Sequence, residues 1–422
     1  MHALGVTPTK LDQPDVPRSA LRVLFLAEDF PMSKAASHGG VEVSLWRQAE
    51  GLAAQARVTV LSPRRIYPPL RRYRVAGRPP ACREDVTASG QSLPFQIFRP
   101  PVVHVPILWP LAEPVQILAA AAWLRFRHRR EFDLVHGHRA IPMGLSAVLF
   151  GRLFRRPSVV TVYGTEVNVE ATAGGWLLRR GVRAALNAER VIAVSRALTE
   201  RLFALGVEPA RVRLVPSGVD LDLFTPNDST PNERMAARRA LGLPADRFIF
   251  LCLSDFYPIK GHAVLIDAMG KLARRRPAAV FLAMTGDAAE RPRIERRARE
   301  LGLDGDVRFA GLLAYPELPS WVNAADALVL PSLNEGMPLT VLEGFACGKP
   351  LVGSRVGGVP EVVTDERYGI LVPPGDPQAL ADALEAAMER RWDSELIRER
   401  TRTFAWPAIV ERILDVYREL RA

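Results

Sequence analysis

Two glutamates eight residues apart, Glu335 and Glu343, stand in NEGMPLTVLEGFACGKP (334–350), a stretch that opens on Gly336 and Pro338. Gly and Pro mark a turn, and the apolar run that follows predicts a helix. A helix start offers free N–H groups and a partial positive charge, a natural seat for a diphosphate. Glu335 then falls in the loop facing a ligand. Glu343 lies two turns further along, within reach of a ribose hydroxyl pair. Carboxylates suit sugar hydroxyls because charged acceptors make the stronger hydrogen bonds. Taken alone, the same pattern fits two surface glutamates beside a capped helix.

Lys260-Gly261 follows the apolar FLCLSDFYPI, and Lys260 is one of only five lysines against 51 arginines. A Lys beyond a strand end is placed as a point charge for phosphate, although a solvated loop lysine is the commoner case. HGGVEV (38–43) puts Gly39 and Gly40 after the first apolar run, where the backbone can turn tightly and approach a phosphate or sugar. No GxGxxG occurs, which argues against a dinucleotide dehydrogenase, and neither a GxSxG elbow nor a P-loop is present. His136 and His138 flank Gly137 without an acidic or Cys partner at metal spacing, and Asp304-Gly305-Asp306 reads as a surface turn. No metal site is expected.

The elements that must hold these residues follow from the alternation of short apolar runs with amphipathic stretches, the pattern of α/β units and parallel sheets. Strands are predicted at 21–28, 57–63, 96–101, 134–138, 158–164 and 190–195. A second series lies at 248–255, 278–286, 307–311, 327–332, 350–354 and 369–374. Helical patterns intervene, among them 41–55, 115–130, 142–153, 175–187, 262–274, 290–301, 317–324, 337–347 and 377–390. VRLVPSGVDLDLFTPNDSTPNE (212–233) is a predicted linker between the halves. Ligands of doubly wound sheets bind beyond the carboxyl ends of the strands, so the loops there carry the candidate site.

The chain of 422 residues is 48% hydrophobic and 24% charged, an ordinary globular mixture long enough for two or three domains. Its only cysteines, Cys82, Cys252 and Cys347, exclude a disulfide framework and point to a reducing compartment. Residues 1–20 look like a loose tail without the apolar core of a secretory signal. The most apolar stretch, 101–124, is broken by His104, Glu113, Gln116 and prolines, and is a poor bilayer span. The net charge of +10 is uneven: residues 1–215 carry 30 Lys+Arg against 16 Asp+Glu, and the rest 26 against 30. Arg64/Arg65, Arg71/Arg72/Arg74, RFRHRR (125–130) and Arg152/Arg155/Arg156 cluster near Ile66, Tyr67, Leu70, Trp123, Leu124 and Phe126. Arg interleaved with such residues suits an anionic headgroup surface. Local acids, Glu84, Asp85, Glu131 and Asp133, are near enough to neutralise part of it. A nucleic-acid partner is not expected, since the chain carries no known nucleic-acid-binding motif.

In order along the chain, the Gly-Gly turn, DLVHGH (133–138), VVTVYGTEV (159–167) and VIAVSRALTERL…VRLVPSGVDLDLFTP (191–226) resemble the retaining glycosyltransferases of family 4. So do Lys260-Gly261, VRFAG (307–311), the E-x7-E element and GGVPEVV (357–363). The resemblance covers about 21–420. It implies the α/β GT-B fold: two Rossmann-like doubly wound domains facing across a cleft, with a C-terminal helix crossing back to the first. The implied division is a tail at 1–20, an acceptor-side domain at 21–218, a nucleotide-sugar domain at 219–404 and the returning helix at 405–422. It also implies a sugar transferred from a UDP- or GDP-linked donor, a substrate and not a cofactor, to a carbohydrate or lipid-linked acceptor in polysaccharide assembly. No cofactor or metal is required.

By the resemblance Glu343 holds the ribose, and Glu335 with the backbone of Gly336, Met337, Pro338 and Leu339 holds the donor sugar and diphosphate. Lys260 clamps phosphate, Gly39 and Gly40 approach the diphosphate from the other domain, and Gly311 and Leu312 lie near the base. Tyr163 and His138 complete the catalytic set. The expected location is cytoplasmic, with peripheral attachment at the inner membrane face. Two departures stand out. Ser254-Asp255 replaces the family's Gly-Arg, and a carboxylate about 4 Å from a phosphate would cost roughly 4 kcal/mol at an effective dielectric near 20. Tyr163 replaces a His that faces the donor sugar. Both support a second reading, a catalytically degenerate family member that binds sugar nucleotides or serves as a complex subunit.

Overall fold

The computed structural model describes residues 20–31, 40–67, 83–86, 92–127, 131–226 and 231–421, with the backbone alone at 83–86, 92, 127 and 231. Gly39, the tail at 1–19, Leu70, Arg71, Arg72, Arg74, Cys82 and residues 128–130 of RFRHRR lie outside the described residues.

Continuous apolar runs become strands buried on both faces, as parallel sheets require. The first sheet is built from β1 (Arg22–Leu26), β2 (Arg57–Leu61), β4 (Arg83–Val86), β5 (Ser92–Phe98), β7 (Leu134–His138), β8 (Ser158–Val162), β9 (Arg190–Ala193) and β10 (Val212–Leu214). Its spatial order is β10-β9-β8-β7-β1-β2-β5-β4, parallel except for the β4/β5 pair. A separate two-stranded pair joins β3 (Arg64–Ile66) to β6 (Pro101–Val103). The second sheet contains β11 (Phe248–Leu253), β12 (Val280–Thr285), β13 (Val307–Gly311), β14 (Ala327–Leu330), β15 (Leu351–Ser354) and β16 (Gly369–Val372). It is wholly parallel, in the order β13-β12-β11-β14-β15-β16.

Among the parallel strands each order reverses once, between β1 and β7 in the first sheet and between β11 and β14 in the second. Those two switch points open a crevice at the carboxyl ends of the strands. The helices that matter for the site are α1 (Gly40–Leu52), α2 (Trp109–Arg127), α3 (Arg196–Ala204), α4 (His262–Arg275), α5 (Leu339–Ala346) and α6 (Trp406–Glu419).

α6 lies back on the first domain. It buries Trp406, Ile409, Val410, Ile413, Leu414, Val416 and Tyr417 in one apolar cluster with Phe25, Trp46 and Phe95. A Cβ on Gly51 of α1 would meet the Val410 side chain at 2.5 Å, so a larger residue there would push α6 away. Tyr417 donates to or accepts from His136 Nδ1 at 2.6 Å, and His136 Nε2 meets Thr161 Oγ1 at 2.7 Å. Burial holds His136 down at about 3, so the ring is neutral and structural.

Three expectations change. The stretch 212–233 is not all linker, because β10 adds an edge strand to the first sheet and a helix begins at Pro231. The first-domain helix predicted from 115 begins at Trp109, with Pro114 inside it. β3, β4 and β6 were absent from the strand pattern, being short or polar. No described helix is long and apolar enough to cross a membrane.

Candidate functional site

Between the two sheets lies a cleft of about 670 Å³. From the first domain it is lined by the residues after β1 (Glu28, Asp29), the start of α1 (Gly40), Arg139 after β7, and Tyr163 to Glu166 after β8. From the second come Ser254, Asp255 and Lys260 after β11, Gly286 after β12, Leu312 after β13, and Asn334 to Glu343 after β14. Every wall is therefore a strand's carboxyl end or the helix start that follows it.

Lys260 and Glu335, separated by 75 positions, meet here: Lys260 Nζ donates to Glu335 Oε1 at 2.7 Å, and Ser332 Oγ donates to the same oxygen at 2.6 Å. Glu335 is buried and held as an acceptor at the cleft floor. Leu333 N–H bonds Ile259 O at 2.8 Å, which ties the lysine turn to the glutamate loop. Glu343 sits in α5, 3% exposed, and burial raises its pKa to about 7, with a Tyr315 hydrogen bond pulling the other way. The spacing of the two glutamates thus puts one in the loop and one along the helix, both facing the cleft. Met337, Pro338 and Leu339 line the same wall.

The Gly336 loop is pressed against the other domain. A Cβ on Gly336 would meet the Tyr163 carbonyl carbon at 2.9 Å and its oxygen closer still. Facing it, Gly164 takes φ +141°, open only to glycine. Gly357 and Gly358 support the loop from behind, with Gly358 N–H bonded to Gly336 O at 2.9 Å. The GGVPEVV segment is thus a brace, and its Glu361 accepts the first free amides of α3, Arg196 N at 2.7 Å and Ala197 N at 3.2 Å. Asn168 Nδ2 donates to Asn334 Oδ1 across the cleft at 2.9 Å. Gly40 also approaches the second domain: a Cβ there would lie 3.1 Å from Leu339 Cδ1.

Two of the selected residues fall outside the cleft lining. His138 is 1% exposed, packed on Phe25 with ring centroids 3.9 Å apart, and meets the Tyr163 hydroxyl through Nδ1 at 2.9 Å. Burial, then the neighbouring His136, pushes its pKa well below the usual range, so the ring is neutral near neutral pH. It positions Tyr163 from within and does not face the cleft. Gly311 has φ +82° and sits one residue before Leu312, which does line the cleft. The Tyr163 hydroxyl also accepts from Gln48 Nε2 at 3.4 Å, so it is committed to the first-domain interior. Asp255 lines the cleft, and its Oδ1 accepts Asp287 N–H at 3.3 Å.

Sequence reasoning missed Glu28, Asp29, Arg139, Glu166, Ser332 and Tyr315. Glu166 is the residue that shapes the VYGTE turn, accepting Tyr163 N at 2.9 Å and Gly164 N at 3.2 Å. Its place in the quoted VVTVYGTEV run was the available signal; the others carried none beyond following a strand. No cluster of three His, Cys, Asp or Glu suited to a metal occurs among the described residues.

Two parallel doubly wound domains with facing switch points, a cleft between them and a strap returning to the first define the GT-B architecture. The chain matches the family models "Glycosyltransferase Family 4" over residues 38–223 and "Glycosyl transferases group 1" over 233–404. It belongs to the group 1, family 4 glycosyltransferases. It is 32% identical over 332 residues to a D-inositol 3-phosphate glycosyltransferase of Acidothermus cellulolyticus, covering 73% of each chain. With the D-inositol 3-phosphate glycosyltransferase of Saccharomonospora viridis identity is 36% over 248 residues, and the match spans only about half of that protein, 56% of its length and 56% of this chain. Anabaena HepE, solved with UDP and glucose, shares the fold with a TM-score of 0.71 at 21% identity, over 94% of this chain and 100% of that one.

Proposed function

We propose that the protein is a retaining glycosyltransferase that moves a sugar from a nucleotide sugar, UDP- or GDP-linked, to an acceptor seated in the first domain. One observation carries this reading: Lys260 and Glu335 form a 2.7 Å ion pair on the same wall as Glu343 and the start of α5. In it, Glu343 takes the ribose hydroxyls. Lys260 and the amides at the start of α5 offset the diphosphate charge. Glu335 orients the donor sugar. The acceptor oxygen attacks the anomeric carbon from the face the diphosphate leaves, its proton passing to the departing phosphate oxygen. One carbon–oxygen bond breaks and another forms on that face, so configuration is retained without an enzyme nucleophile or a resident metal. The names of the relatives and the UDP bound to HepE support a nucleotide-sugar donor.

The test is nucleotide release from a panel of UDP- and GDP-sugars, with EDTA present. Release by the wild type that is lost in Lys260→Ala supports the reading. Binding without any release favours the degenerate sugar-nucleotide binder, the reading that Asp255 in the cleft wall supports.

The acceptor is proposed to be a lipid-linked or polysaccharide precursor met at the cytoplasmic membrane face. Support comes from α2, whose exposed Leu111, Val115, Trp123 and Phe126 recur at spacings of three, four and eight beside exposed Ile107 and Leu108. Phe126 touches Phe154, close to the exposed Arg152 and Arg155. Arg65 does not take part as first expected, since it is ion-paired with Glu28 and, at 3.0 Å, with Glu113. Leu124 is buried, and Glu131 and Asp133 are bound to Arg22. Co-sedimentation with anionic vesicles at low salt is the expected result; a protein that stays in the supernatant there points to a soluble acceptor.

A further inference from the structure

We propose that Glu361 is a positioning residue for the transfer reaction: it caps α3 from the other domain and so sets where the Gly336 loop stands, an inference that rests on the transfer reading above. The first N–H groups of a helix have no partner within it. At α3 they are satisfied from two sides. The helix's own N-cap, Ser195, accepts Leu198 N–H through Oγ at 3.3 Å. The two amides before it, Arg196 N and Ala197 N, are accepted at 2.7 Å and 3.2 Å by the Glu361 carboxylate of the second domain. The start of α3 is therefore complete only when the two domains are together.

Glu361 stands one turn from the backbone of the donor loop. Its N–H bonds Gly358 O at 3.1 Å, and Gly358 N–H bonds Gly336 O at 2.9 Å. Gly358 is wedged between the domains: a Cβ there would lie 3.1 Å from Ser195 Cβ and 3.3 Å from Met337 Cα. Arg400 fixes the far side of the turn, Nη2 donating to Glu361 O at 2.7 Å and Nε to Val362 O at 3.2 Å. Apart from the carboxylate, the route from Arg196 to Gly336 is backbone, so a displacement of α3 reaches the loop with little slack. Val194 and Leu198 share a buried cluster with Met337, Val359 and Val362, but apolar contact has no direction. A carboxylate on two amides does have one, and its hydrogen bonds are the stronger kind. The cluster holds the surfaces together, and Glu361 sets their register. Glu361 does not line the cleft, so it acts through the loop and not on the donor.

Nucleotide release is measured at saturating donor, with calorimetric titration of the released nucleotide. Glu361→Ala is expected to lower kcat about tenfold or more, because it strands two amides and frees the loop. Nucleotide affinity should stay within about twofold, since the proposed ribose and diphosphate contacts all belong to the second domain. Glu361→Gln keeps an acceptor of the same reach and should recover kcat to within about threefold of the wild type. Ser195→Ala removes the helix's own cap but leaves the Glu361 bonds in place; it should lower the melting temperature and spare kcat. Amide hydrogen exchange gives a readout that needs no turnover. Glu361→Ala should lose protection at Arg196 and Ala197 and also at Gly358, whereas Ser195→Ala should lose it at Leu198 alone. An equal fall in kcat in the two alanine variants, a change in affinity without a change in kcat, or lost protection confined to 196–197 overturns the inference. No release by the wild type from any donor sinks the transfer reading instead, and the exchange pattern then decides by itself whether Glu361 governs the loop.

Discussion

Replacing Gly336 with alanine should hold the two domains apart while leaving each one folded. The added methyl would stand 2.9 Å from the Tyr163 carbonyl carbon, with the oxygen nearer still. Ordinary contact begins near 3.4 Å, and both partners are backbone, so neither can turn aside as a side chain would. Tyr163 is fixed by Glu166, and Gly336 by Gly358, so the strain is relieved by a shift of the whole loop or domain, about 1 Å or more. A displacement of that size between a catalytic loop and the bound partner costs roughly a hundredfold in rate. The variant should therefore lose about two decades in kcat/KM for nucleotide release, yet melt within a few degrees of the wild type. The Gly358 brace and both sheet cores are untouched, which is why stability is spared. Wild-type kcat/KM in a Gly336→Ala protein would refute the argument that this backbone approach positions the donor loop. A large drop in melting temperature would instead move the cause from positioning to folding.

Glu343→Ala is expected to weaken UDP binding by about tenfold or more, since it removes the carboxyl that accepts from the ribose hydroxyls in the proposed site. Glu335→Ala, at the loop beside Lys260, should lower turnover more than nucleotide affinity; equal losses of both quantities in both variants would count against the division. Glu343 has a folded pKa raised to about 7, so between about 4.5 and 7 the folded state holds a proton that the unfolded chain releases. Its contribution to stability therefore falls as pH rises through that window, by up to ~3 kcal/mol. Chemical denaturation should show that slope, and Glu343→Gln should flatten it; a slope unchanged in the variant would assign it to other groups.

The strands that frame the cleft could be read directly because parallel strands covered on both faces are unbroken apolar runs, as in FIFLCL and SVVTV. The edges could not. RRI, REDV, PVV and VRL are short, polar or both, and their pairing is decided by partners elsewhere in the chain. Lys260 and Glu335 were visible because each lies between a strand and a helix start, where residue type alone suggests a ligand, and Glu343 by its spacing from Glu335 along the helix that follows. Their meeting was not visible, since only the β11–β14 neighbourhood brings positions 260 and 335 together. His138 misled for a definite reason. Its type suggests catalysis, but β7 is flanked by β1 and β8, so a side chain at its end can turn into the core as readily as toward the cleft. Glycine told more than it seemed to: Gly40, Gly336, Gly357 and Gly358 all mark places where a Cβ would crowd another segment.

The polar contacts that span the cleft are modest in strength. Asn168–Asn334 is a neutral hydrogen bond worth about 1 kcal/mol, and the Glu361 carboxylate on two α3 amides adds about 1.5–3 kcal/mol. Apolar contact also joins the domains, since Val43, Val194 and Leu198 of the first share one buried cluster with Met337, Leu339, Val359 and Val362 of the second. By contrast, α6 is fastened to the first domain by seven buried side chains and the Tyr417–His136 bond, so it does not peel off when the domains part. Motion is then left to the two crossings between domains, at Gly218–Val219 and Ala405–Trp406, where Val219 and Ala405 pair and Trp406 packs over Gly218. A micromolar ligand supplies about 8 kcal/mol, more than those polar closures combined. On the proposed reading, a donor touching both Gly40 and the 335–343 wall would bind a closed form better than an open one, and that difference is what a ligand needs to shift such an equilibrium. A donor would add to a closure that the shared apolar cluster already supports, and a methyl at Gly336 would oppose both.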